Sequence, residues 1–375
     1  MPIPDTSAPP RTLDAWLHCL DATCPPISER QREQLRQELQ RSDRPLWAIA
    51  QRLQSSPAFT LALLREANRQ PPGPLGGPVE HIESALTRLG LDRAEVILKA
   101  LPQRSASTLP ASLVQLLLIS QHAQHQAAGL FATRMPRLAN EIHCASLLFL
   151  APFWAIAQAF PDLPQRWAAR VVGERQAAHV VERDLFGVPL LDLALALARR
   201  WRLPEGVILG YQALRHEREP LIRCLRLARR PGVKPLERLQ ETDPQLLRWL
   251  TRPTQSALLV NALVVSAHHA WDDRRSLRWQ RITALYLGTP LDRLQRKFTN
   301  WQRTAPACWQ PAPPGTLLKP CSGQPAAGAR QHPSHPLCFP ASSGQKNGAA
   351  YVKASPNNPV PSPTCPTCWP APPKR

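Results

Sequence analysis

The stretch from Pro57 to Gly90 limits the fold most sharply, because it reads as a helix, a forced break and a second helix. Pro57 suits the first turn of a helix, where its missing N–H costs nothing. Phe59, Leu63 and Ala67 recur every four residues with Leu64 beside them, so one apolar stripe faces a core. Gln70 to Pro78 holds four prolines and three glycines and cannot continue that helix. From Ser84 to Leu89 the helical pattern resumes, and Gly90 can end it in the left-handed conformation.

The same grammar runs through the rest of the chain. Helices are predicted over Thr12–Cys19, Ser28–Gln40 (with Ser28 as N-cap), Leu46–Gln54 and Ala94–Leu101. A long helix follows over Pro110–Met135, with Leu113, Leu116, Leu117, Ser120, Ala123 and Ala127 as its buried stripe. Further helices are predicted over Leu138–Ala159, Arg166–Leu185, Pro189–Trp201, Pro204–His216, Ser256–Ala270 and Leu277–Tyr286. Nothing alternates with a period of two for long enough to make a sheet, so the fold class is all-α.

Two stretches carry a family resemblance. Ser55-Ser56-Pro57, Leu64-Arg65-Glu66-Ala67-Asn68, Ile82-Glu83-Ser84-Ala85 and Leu89-Gly90 match a "dPaLt…LLr.aNs" helix followed by "i.si..Ai..LG". Glu182 to Gly187, Ala194, Leu197-Ala198 and Trp201-Arg202-Leu203-Pro204 match an "E…fG..h..vGa.LA..W.lP..i" run. In this order and spacing the chain resembles the HDOD domains, degenerate relatives of the HD phosphohydrolases. The resemblance implies a helical lobe at 12–104 and an HD-like bundle at 110–290, together a domain of 12–290. A terminal helix is expected over 291–303.

Composition marks the ends. Thr304 to Arg375 holds 17 of the 43 prolines and none of the 27 acids, so 304–375 is expected to be a disordered basic tail, as is a short N-terminus of residues 1–11. The tail is so unlike the rest that an out-of-frame origin stays open. Its Cys365-Pro366-Thr367-Cys368 has zinc-knuckle spacing, but the other candidates, Cys321, His332, His335 and Cys338, lie in Pro-rich surroundings, and no zinc site is expected. Residues 215–303 carry 18 Lys/Arg against 8 Asp/Glu, +10 of the chain's net +19. That charge can attract a polyanion, with Arg223, Arg226, Arg229 and Arg230 as a stripe at helical spacing, or be a solvated surface. Trp249, Trp271 and Trp279 read as core. The N-terminus lacks a basic segment and an apolar run, and no membrane span is expected, so the protein reads as cytoplasmic. Cys19, Cys24, Cys144 and Cys224 are expected to be reduced thiols.

An HD phosphohydrolase needs a first His, an adjacent His-Asp pair and a later Asp, which together hold metal ions that activate water. The resemblance places His122 at the first position, Phe149 and Leu150 at the His-Asp pair, and His268 (with His269 beside it) at the later Asp. His216-Glu217 stands where active relatives carry "HHE". Phenylalanine and leucine offer a metal no lone pair, so no catalytic or metal-binding residue and no cofactor is expected. His122, with His125 one turn on, reads as a core or surface histidine. Phosphate-loop and nucleophile-elbow motifs are missing. The resemblance implies a bacterial signalling domain that binds a partner protein, a nucleotide or a component of a cyclic-dinucleotide pathway. Two alternatives stand beside it: a phosphohydrolase rebuilt from His122, His125, His216, Glu217, His268 and His269, and a nucleic-acid-binding protein.

Overall fold

The computed structural model describes residues 8–69, 77–131, 135–229 and 235–304. The N-terminal residues 1–7, part of the Pro/Gly loop, Arg230 and the tail from 305 lie outside the described residues, with the expectations made for them.

Among the described residues there is no strand, only helices and one isolated bridge. The lobe holds α2 (Glu29–Leu39), α3 (Leu46–Leu53), α4 (Pro57–Arg69), α5 (Ile82–Leu89) and α6 (Leu91–Ala100). Ser28 caps α2 by accepting from Gln31 N, as its position predicted. Phe59, Leu63, Leu64 and Ala67 are fully buried, which is the stripe read from the sequence. The bridge between Ile27 and Gln103 ties the entry of the lobe to its exit, with Ile27 N donating to Pro102 O and Arg104 N to Ile27 O.

The first helix, α1 (Leu13–Leu20), was expected in the lobe but packs on the bundle. Its Trp16 is fully buried, donates Nε1–H to Phe186 O and meets the Phe160 ring edge-on. An indole needs both an apolar slot and an acceptor, and the bundle supplies both. The described residues begin at Ala8, within the N-terminal segment expected over 1–11. Gly187 takes a φ of +73°, and a Cβ there would overlap the backbone of Arg11, whose guanidinium donates to Asp184 O.

The bundle is built on α7 (Ala111–Phe131), α8 (Ala139–Leu148) and α9 (Ala151–Ala159). Leu113, Ser120, Ala123 and Ala127 of α7 are buried as predicted, but Leu116 and Leu117 are only half-buried. The single helix expected over Leu138–Ala159 is broken at Phe149-Leu150. Pro152 sits in the first turn after the break, where a proline starts a helix rather than continuing one. Pro136–Ala159 is apolar and long enough to cross a membrane by length and composition alone. In its most apolar window 78% of residues are buried within the protein, the pattern of a core helix pair.

Next come α10 (Asp162–Ala168), which runs into a π-turn over Ala169–Gly173, and α11 (Ala178–Phe186). These replace the one helix expected at Arg166–Leu185. α12 (Leu190–Arg200) and α13 (Glu205–Arg215) follow as read, with Ala194 and Ala198 buried at a close contact and Trp201 in the core. The chain then adds α14 (Arg218–Leu227), α15 (Pro235–Thr242) and α16 (Pro244–Leu250), which the sequence reading left unassigned. α17 (Gln255–His269) is the central helix, packed on α7, α8, α13 and α18 (Arg274–Leu287). α19 (Leu291–Thr304), expected as a terminal helix, closes over α7 through buried Leu294 and Phe298. The four cysteines of the described residues are unpaired.

Candidate functional site

The six positions singled out in the sequence fall in three separate places. The first is a histidine pair. His122 on α7 and His268 on α17 lie with Nδ1 and Nε2 3.0 Å apart. Gln126, one turn beyond His122, fixes the protons. Its Nε2 donates to Phe298 O at 3.3 Å, and a carbonyl only accepts, so the amide orientation is set. The same Nε2 reaches His122 Nε2 at 3.2 Å, which therefore accepts. His122 then carries its proton on Nδ1 and donates it to His268 Nε2. One ring lone pair on each histidine is thereby committed to a hydrogen bond. Burial, then the neighbouring His268 and His125, holds the His122 pKa down at about 3, and burial holds His268 down at about 4. Phe298 of α19 covers the pair and stacks on Trp271. His143 lies 6.5 Å from His125, ring to ring, and burial holds its pKa down at about 4.

The second place is the break between α8 and α9. The Phe149 ring stacks on Tyr211 at 4.8 Å, and the Tyr211 hydroxyl donates to Phe149 O. Gly210 makes the room: a Cβ there would sit 2.6 Å from Phe149 Cε2 and 3.5 Å from Leu258 Cβ. Leu150 is also buried. His268 lies ten residues beyond Leu258 on α17, about 15 Å of helix axis away. The α17 residue that faces α8 here is Asn261, which donates to Ser146 O at 2.9 Å. His268 therefore does not stand beside Phe149 and Leu150. Gly210→Ala should drive the Phe149 ring off Tyr211 and cost about 1–3 kcal/mol as overpacking. Urea unfolding of the variant measures it, and an unchanged midpoint would show the ring to be loosely held.

In the third place, Glu217 accepts from Trp249 Nε1 and from Arg252 at 3.3 Å, joining the start of α14 to α16. His216 is exposed. Among the described residues no three His, Cys, Asp or Glu side chains gather where they could hold a metal ion.

The two sequence motifs instead meet each other. The Arg65 guanidinium lies 4.6 Å over the Trp201 ring and donates to Thr23 O at 3.1 Å and to Asp21 O. Asn68 is buried at the end of α4. Its Oδ1 accepts from Val79 N at 2.7 Å, and its Nδ2 donates to Val79 O at 3.0 Å and Arg202 O at 2.9 Å. Arg202 adopts a φ of +50° and returns a bond to Asn68 O at 2.6 Å. This joint fixes the lobe against the bundle.

That helical lobe, docked through its Asn68 motif on the Trp201-Arg202-Leu203-Pro204 turn, agrees with the family comparison, in which residues 25–217 match the HDOD domain. The chain belongs to the HDOD family. No curated protein matches it. Among solved structures, this HDOD protein is similar to a virulence factor (Cj0248) from Campylobacter jejuni subsp. jejuni, with 15% identity over 80% of this chain and 97% of that one and a TM-score of 0.51. It is also similar to the MmoQ response regulator from Methylococcus capsulatus str. Bath, with 17% identity over 74% of this chain and 98% of that one and a TM-score of 0.44.

Two further features of this HDOD domain escaped the sequence. A cleft of about 240 Å³ runs between the lobe and α7, lined by Ser28, Gln31, Pro57, Arg104, Leu117 and Gln121 among others. It explains why Leu117 is only half-buried. Glu80, just after the Pro/Gly loop, accepts from Glu205 N at 2.8 Å at the start of α13. Burial raises its pKa to about 7, and Glu205 and Glu141 add to the rise against the relief given by that hydrogen bond. A lone Glu beside prolines carries no sequence signal for this.

Proposed function

We propose that the protein is a non-enzymatic signalling domain that acts by binding a partner protein or a nucleotide of a signalling pathway. One observation carries the reading. Phe149, which the resemblance sets with Leu150 at the positions of the His-Asp pair of active HD relatives, is built into the core against Tyr211. An aromatic stack over a glycine is a packing solution, and returning two metal ligands there would require repacking α8, α13 and α17. For its ligand or partner, this reading looks first to the shallow cleft between the lobe and α7, whose lining mixes apolar Pro57 and Leu117 with polar Gln31, Arg104 and Gln121. A component of a cyclic-dinucleotide pathway is one such ligand or partner.

The rebuilt-hydrolase reading has one observation in its favour, the contact of His122 with His268. Those rings bond each other, Gln126 and Gln115, and among the described residues no third His, Cys, Asp or Glu gathers with them.

The purified protein is expected to hold no stoichiometric transition metal and to turn over no phosphodiester or nucleotide with added Mn²⁺. Elemental analysis and a phosphate-release assay check both. Turnover that disappears in His122→Ala would overturn the proposal. Calorimetric titration with cyclic di-GMP then separates nucleotide ligands from protein partners.

A further inference from the structure

We propose that the outer surface of α18 and α19 binds the phosphate backbone of nucleic acid. Arg274, Arg278 and Arg281 are spaced four and three apart on α18 and so form one stripe, with Arg275 beside it in the first turn. α19 adds Arg293, Arg296 and Lys297. Arg281 is half-buried and the other six are exposed.

Six of these seven cations are not spent on carboxylate pairs among the described residues. The one carboxylate on the two helices, Asp292, holds Arg296. Asp273 uses its oxygens on the backbone N–H groups of Arg274 and Arg275, capping α18. The remaining six cationic side chains have no carboxylate within 4.0 Å among the described residues. The stripe on α14 differs, since its Arg223 is paired with Asp243. Nearby, Arg215 is held by Asp192 and Arg252 by Glu217. From Arg274 to the last residue the chain has 14 basic residues and one acid, so the charge continues beyond the hairpin.

The apolar faces of both helices are used up among the described side chains. Ile282 and Leu285 of α18, and Leu294 and Phe298 of α19, are buried in the bundle. A membrane-surface helix needs a free apolar face to insert, and a stable protein interface needs an apolar or aromatic centre. The described side chains of this surface offer neither. It offers cations, nearly all guanidinium forks that match phosphate geometry. A nucleic-acid backbone requires only that, and such contacts read no sequence.

The test is fluorescence anisotropy of the full chain with a labelled random-sequence duplex of about 20 base pairs. Four to five neutralised phosphates would weaken binding by roughly 10²–10³-fold between about 50 and 200 mM salt. The variant Arg274→Glu/Arg278→Glu/Arg281→Glu should bind at least about ten-fold more weakly with its helical circular dichroism intact. If that variant does not fold, the milder Arg278→Gln/Arg281→Gln should still bind several-fold more weakly. Undiminished binding by the folded variants would assign the affinity elsewhere in the chain and overturn the proposal. So would binding to polyglutamate or to phosphatidylglycerol vesicles that matches or exceeds binding to the duplex.

Discussion

Asn68→Ala is expected to destabilise the protein by about 2–4 kcal/mol and to divide its unfolding into two steps. The side chain makes three hydrogen bonds, to Val79 N, Val79 O and Arg202 O, and only 3% of the residue is exposed. Alanine would strand those backbone groups out of reach of water, at a cost of roughly 1 kcal/mol or more each. The loss also falls on Arg202, a non-glycine residue at positive φ, a conformation that persists only where its surroundings impose it. With the joint weakened, Arg65 over Trp201 and the Arg202 bond to Asn68 O are the polar ties left between α4 and the turn after α12. The lobe should then melt at lower urea than the bundle. Tryptophan fluorescence and far-UV circular dichroism, followed together through the transition, test this. Coincident single transitions with an unchanged midpoint would mean that apolar packing alone holds the lobe.

That joint shows what the sequence could and could not reveal. Leu64 to Asn68 and Trp201 to Pro204 are legible as motif pieces because each is a local pattern of apolar and helix-ending residues. Their contact joins residues 134 positions apart, and no local pattern encodes that. The same limit explains His268. Its place in the chain order suggested a ligand beside Phe149, but the helical register of α17 carries it about 15 Å past that point, to His122. The placing of Phe149 and Leu150 at the His-Asp positions rests on the sequence resemblance, and what the structure adds is the packing of Phe149 on Tyr211.

The helix errors have physical causes too. The break at Phe149-Leu150 is hidden because every residue around it is apolar, so periodicity gives no signal there. α14, α15 and α16 are short, and the Arg-rich sequence between His216 and Gln255 gives them little apolar stripe. α1 reads correctly as a helix. Only tertiary contacts, through Trp16, decide that it belongs to the bundle.

Stability is expected to fall steeply as the pH drops below about 6.5. His122 titrates near 3 in the folded protein, and His143 and His268 near 4, each pushed down chiefly by burial. Unfolded histidines titrate near 6.5, so the unfolded chain binds protons that the native state refuses. A depressed pKa gives stability that is present above the unfolded value and is lost as pH falls towards the folded one. His122 and His268 share a hydrogen bond, so the first proton breaks the pair and the second enters at less cost. About two protons then separate the states, or roughly 2–3 kcal/mol per pH unit between pH 6.5 and 4. A typical domain has only about 5–15 kcal/mol to lose, so unfolding near pH 4–5 follows. Glu80 works in the opposite sense. Its pKa is raised to about 7, so its contribution is present below the unfolded value near 4.5 and is lost as pH rises through 7. Glu80→Gln keeps an acceptor for Glu205 N and removes the charge. It should steepen the acid limb and raise stability at pH 8 by up to about 2 kcal/mol after solvent screening. His268→Gln should flatten the limb by about one proton. Urea midpoints measured from about pH 8 to 4.5 decide it, and a flat parent profile would mean that the histidines are hydrated and the pair is open.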